Sequence, residues 1–174
     1  NAADFLSGSK CFFDLYVRLG PGRFVMILQA GDSFSFDRIA AYLKKGVTHF
    51  FLRKEAQEKY LGYCDKLASA VVRSAVAPVA VKISQTMNHG QETMNFLKKH
   101  GLSENNLQYA ANFIGNVEVL ATQIEKENVS VLRGFLADLA AYEHGVATAM
   151  IAALLIHPLR IEAAQPVRVI GIGS

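Results

Sequence analysis

The sequence predicts an α+β protein: a small N-terminal α/β unit built around a β-hairpin, followed by stacked α-helices. Three observations carry this. Two runs rich in aromatic and β-branched residues, Phe12 to Leu19 and Phe24 to Gln29, flank the turn sequence Gly20-Pro21-Gly22-Arg23. From Lys54 onward the apolar residues change to i, i+3, i+4 spacing and keep it. Strands therefore come first and helices afterwards, an order that segregates the two kinds of element. At 51% hydrophobic and 19% charged residues, the chain has enough apolar material for a core and too little charge for disorder.

The elements follow in order. In the hairpin turn the glycines supply backbone angles that side chains resist. Gly31-Asp32-Ser33 ends the second strand. Ser35 is the expected N-cap of a helix from Phe36 to Lys45, because its hydroxyl can accept from a backbone N–H left free in the first turn. Phe36, Ile39, Ala40 and Leu43 share one face of it, and Gly46 closes it. Val47 to Arg53 reads as a third strand. Tyr60, Leu61, Cys64, Leu67, Ala68, Val71 and Ala75 mark a helix that runs towards Pro78. A second long helix spans Val79 to Lys99, with Ile83, Met87, Met94 and Leu97 on one side. Ser103 caps a third, Glu104 to Glu127, whose stripe is Leu107, Ala110, Ala111, Ile114, Val117 and Ile124. One further helix, or two joined ones, covers Val131 to Ile156 and stops at Pro158. Val167 to Gly173 is β-branched and Gly-rich, and propensity alone makes it a strand. The expected organisation is an α/β regulatory domain at 1–77, a helical connector at 78–128 and a second helical domain starting at 129–174. The Met and Ile seam of the connector could also pair with a second copy as a homodimer.

The bulk properties narrow the partners. A net charge of +3 with scattered basic residues lacks the dense stripe of a nucleic-acid binder, so no nucleic-acid polymer is expected. Cys11 and Cys64 match no metal-binding spacing and read as free thiols of a cytoplasmic protein. The apolar run Val146 to Ile156 is about half the ~20 residues of a membrane span. Arg18, Arg23, Arg53 and Lys54 would form an anion-binding face if hairpin and third strand were neighbours, although a solvated surface is the commoner outcome for such residues.

Candidate chemistry centres on histidine. His49, His89, His100 and His157 have no partner at metal-ligand spacing and read as structural or solvated, with His89 and His100 on or near the end of a surface helix. The Gly171-x-Gly173 pair lacks the third glycine and the following helix of a dinucleotide fingerprint. His144 stands out for its setting, Tyr142-Glu143-His144-Gly145-Val146-Ala147-Thr148-Ala149-Met150-Ile151-Ala152-Ala153-Leu154-Leu155. On its own, a single histidine on an apolar helix is usually structural.

That run, the break near Pro158 and the approach through Pro166-Val167-Arg168-Val169-Ile170-Gly171-Ile172-Gly173-Ser174 together resemble the opening of an HD-GYP domain. HD-GYP proteins are bacterial phosphodiesterases that hydrolyse cyclic di-GMP. The N-terminal run Asp14 to Leu19, Gly31-Asp32 and Tyr42 to Arg53 is similar to domains that precede such modules. The resemblance implies an incomplete helical bundle of HD type in which His144 is one metal ligand. It also makes residues 167–173 the start of a helix that presents a His-Asp pair beyond Ser174. Two divalent ions, iron or manganese, would be bound in the complete protein and none by this segment, which lacks the His-Asp pair and the Gly-Tyr-Pro motif and should be inactive. Members that hold a third metal often carry Glu one turn before the histidine. Ala140 stands there, and Glu143 points about 100° away, so a two-metal site is implied. The competing expectation is a non-enzymatic regulatory or dimerisation module in which His144 belongs to the core.

Overall fold

The computed structural model describes Phe5, residues 10–124, Gly134, Ala137 and residues 142–156. They form a two-stranded antiparallel hairpin followed by helices, an α+β protein. The elements are β1 (Leu15–Gly20), β2 (Arg23–Leu28), α1 (Phe36–Lys44), α2 (Gln57–Val72), α3 (Val79–His100), α4 (Glu104–Ile124) and α5 (His144–Ile156). The chain divides into two compact units, Asn1–Tyr63 and Cys64–Ser174, with the division inside α2.

In the N-terminal unit, β1 and β2 pair as Tyr16 with Met26, Val17 with Val25 and Arg18 with Phe24. Gly22 turns the chain at φ +70°, a region closed to most side chains, and Pro21 before it has its φ fixed by the ring. Leu15 and Val17 point into the core, while Phe24, Val25 and Met26 of β2 are exposed. The core is aromatic. Phe5 lies 5.6 Å from Phe50 and 5.7 Å from Tyr63, ring centre to ring centre, and Phe34 stacks on Phe50 at 5.3 Å. Asp14 accepts from the Ala30 N–H at 2.9 Å and fixes the exit of the hairpin.

Residues 47–53 do not form the expected third strand. Only Phe51 bridges to β1, through two 2.8 Å bonds with Tyr16. The pairing of β1 with β2 shifts register between Leu15 and Tyr16, where Ile27 of β2 is skipped. Phe50 meanwhile packs against Phe5, Phe34 and Tyr42, and a 3₁₀ turn begins at Lys54. The β-branched and aromatic composition thus serves packing, without a ladder.

Ser35 caps α1 as expected, its Oγ accepting from the Arg38 N–H at 3.4 Å. Ile39 is the buried residue of this helix, while Phe36 and Leu43 of the predicted face are exposed. Replacing Ser35 with Ala should cost about 0.5–1 kcal/mol, the lower part of the cap range because the bond is long. Faster amide exchange confined to the first turn of α1 is the expected signature.

In the helical unit, α2 ends at Val72, well before Pro78, and Pro78 instead caps α3. Gly101 (φ +76°) closes α3, and Ser103 accepts from the Asn106 N–H at 3.3 Å to start α4. Met87, Phe113, Ile114, Val117, Leu120 and Ile124 pack with Val146, Ala149, Met150 and Ala153 of α5. The last four recur at i, i+3, i+4 and i+7 and turn one face of α5 inward. Met87 is in this core, and Ile83 and Met94 pack against it, so much of the expected dimer seam is used within the chain. Both cysteines are free and buried, and burial pushes the Cys11 thiol up to about 11, away from thiolate chemistry. Among the described residues no helix is long and apolar enough to cross a membrane. Residues 157–174, with the expected stop at Pro158 and the segment 167–173, lie outside the described residues, as does Ala140.

Candidate functional site

His144 is the first residue of α5. Because Val146, Ala149, Met150 and Ala153 bury the opposite face, its imidazole is exposed and is not the core residue expected of a purely structural histidine.

The chain before it is held firmly. The Glu143 carbonyl accepts from the Ala147 N–H at 3.0 Å, closing the first turn of α5. One Glu143 carboxylate oxygen accepts from the Gly145 N–H at 3.3 Å, which is N-cap geometry. The other is ion-paired with Lys98 of α3. The Glu143 backbone N–H donates to Gln91 Oε1, also on α3, at 2.8 Å. Lys98 and then the Gly145 N–H hold the Glu143 carboxyl below the usual carboxylate range. A cavity of about 370 Å³ adjoins this corner, lined by Thr93, Leu97, Lys98, Phe113, Ile114 and Gly145 among others.

A second polar cluster lies deeper in the same unit. His89 of α3 is fully buried, with Nε2 3.6 Å from Asp65 Oδ1 of α2. Asn112 of α4 donates to the other Asp65 oxygen at 2.9 Å. The imidazole meets the Phe113 ring edge to face at 6.1 Å. Both ring nitrogens of His89, Asp65 Oδ1 and the hydroxyls of Thr86 and Thr93 have no hydrogen-bond partner among the described residues. Burial drives the His89 pKa from 6.5 to about 4, against the opposing pull of Asp65. This corrects the surface position expected from sequence. Thr86, His89 and Thr93 share one side of α3 with Lys82 and Gln85, a polar stripe that is buried. The spacing was visible in the sequence, but its polarity pointed to solvent.

The remaining candidates separate. His49 is exposed and bonds Thr48 at 2.9 Å, and His100 stacks on Phe96 at 4.3 Å. The Tyr16–Phe51 bridge brings Arg53 to the hairpin, where its guanidinium covers Tyr16 and donates to the phenol oxygen at 3.1 Å. Arg18 bonds the Gly20 carbonyl at 3.2 Å. Two of the four basic residues are thus occupied locally, and the adjoining cavity of about 300 Å³ is lined by Tyr16, Phe24, Phe51, Leu52 and Arg53, mostly apolar.

Among the described residues no group of three or more His, Cys, Asp or Glu side chains is placed to hold a metal ion. His144 is therefore a single outward imidazole at an anchored helix start, in the helical unit of an α+β protein. No family model, curated protein or solved structure matches this chain.

Proposed function

We propose that the chain is the regulatory segment and the first catalytic-domain helix of a cytoplasmic bacterial phosphodiesterase of the HD-GYP kind, which hydrolyses cyclic di-GMP. The observation that supports this best is the placement of His144. Imidazole is a favoured ligand for iron and manganese sites, and here it faces outward from a helix whose other face is core. Two divalent ions would supply Lewis-acid chemistry at phosphorus, with His144 as one of the residues that would hold them. The described residues alone do not fit such a pair, since one imidazole is one ligand. His144 would contribute one ring nitrogen to such a site.

The test is His144→Ala in a chain that also carries the proposed His-Asp helix. As an exposed residue it should leave stability within about 0.5 kcal/mol. Loss of bound manganese and of cyclic di-GMP hydrolysis is expected. Unchanged metal content in the variant, or none in the parent, would overturn the reading in favour of a non-enzymatic regulatory module.

A further inference from the structure

Three separate contacts converge on Glu143, the residue before His144. Two come from α3, from Gln91 and Lys98, at sequence separations of 52 and 45 residues. The third is the cap bond to Gly145. A surface ion pair alone contributes little, but here the paired carboxylate is also the cap of α5, and the backbone N–H of the same residue is fixed by a side-chain oxygen. The cavity beside Lys98, Thr93 and Gly145 leaves the first turn of α5 incompletely packed against α3 and α4. Val146 anchors the inward side of that turn in the core, and the polar contacts of Glu143 fix its outer side.

We infer that Gln91, Lys98 and Glu143 form a clamp that sets the position of His144, with Glu143 as its central positioning residue. The consequence for metal binding rests on the function proposed above, whereas the clamp does not. A displacement of α3 along its axis would carry Glu143 with it, and His144 is the adjacent residue. The clamp thus connects α3 directly to the residue that precedes His144. Glu143 is accordingly assigned to geometry and not to metal ligation.

The test uses the full 174-residue chain, with Glu143→Ala, Lys98→Met and Lys98→Arg. Amide exchange is read at Ala147 and Thr148 against Val117 in α4 as an internal reference, together with the NMR ring signals of His144. Glu143→Ala should speed exchange at the two α5 amides by about five- to tenfold and shift the His144 ring signals. Lys98→Met should act in the same direction, and Lys98→Arg should restore both. No change in either readout, or equal acceleration at Val117, would overturn the clamp. In a longer chain bearing the His-Asp helix, Lys98→Met should weaken manganese binding and Lys98→Arg should not. If the unaltered longer chain binds no manganese, the proposed function fails and the clamp result stands.

Discussion

Replacing Phe113 with Ala is expected to destabilise the helical unit by about 3–5 kcal/mol. The ring is 5% exposed and sits in the core with Met87, Ile114 and Val117. Its other neighbour is the backbone of α3. A Cβ on Gly90 would stand 2.6 Å from Phe113 Cε2 and 2.7 Å from Cζ, closer than real contacts allow. Gly90 therefore permits α4 to bring an aromatic ring against α3. Gly90→Ala gains about 1 kcal/mol of helix propensity but must push the ring aside in a packed interior, which costs about 1–3 kcal/mol. Net destabilisation of about 0–2 kcal/mol is expected from these two terms. With Phe113→Leu already in place the clash is relieved, and Gly90→Ala should become neutral or stabilising. Urea denaturation of the two single variants and the double variant measures this coupling directly. Stabilisation by Gly90→Ala in the otherwise unaltered chain would refute the close approach of the two helices.

The contrast between Gly90 and Ser35 shows which parts of the fold were legible in the sequence. A cap is local: Ser35 acts on Arg38, and Ser103 on Asn106, so both could be read from neighbouring letters. The hairpin is equally local, with its turn chemistry at Pro21 and Gly22. Residues 47–53 had strand composition, but a strand also needs a regular partner, and β1 supplies only Tyr16. The buried side of α3 was misread for a similar reason. Apolar spacing pointed to Met87 correctly but overlooked Lys82, Gln85, Thr86, His89 and Thr93. Their burial depends on α2 and α4, as in the bond of Lys82 to Gln123 and the approach of His89 to Asp65. At the candidate site, His144 could be singled out from its own segment. The function of Glu143 could not, because Gln91 and Lys98 reach it across a long stretch of chain.

Acid should destabilise the helical unit through His89. Its folded-state pKa of about 4 lies below the usual 6.5 because the imidazole is buried. The unfolded chain therefore binds more protons than the folded one between these values, and stability must fall as pH is lowered. The slope is about 1.4 kcal/mol per pH unit once the unfolded histidine is protonated, on the order of 3 kcal/mol over the whole window. Below about 4 the folded form also protonates and this contribution levels off. Asp65 of α2 is the charged group that acts on the imidazole and favours its protonation. α4 presents the neutral Asn112 and Phe113, and α3 adds Thr86 and Thr93. Glu143 acts in a lower window: its carboxyl is held below 4.5, so its contribution is present above that value and is lost as pH falls through its lowered pKa. Denaturation curves at about pH 6.5, 5.5 and 4.5, which span the window, should show the unaltered chain weakening and His89→Leu holding nearly level. At neutral pH His89→Leu should be neutral or stabilising, because it removes two buried nitrogens that lack partners at little cost in shape. A steep acid slope that survives in His89→Leu would place the sensitive proton elsewhere. Loss of stability at neutral pH would show instead that the imidazole nitrogens are satisfied in solution, with Asp65 as the nearest acceptor.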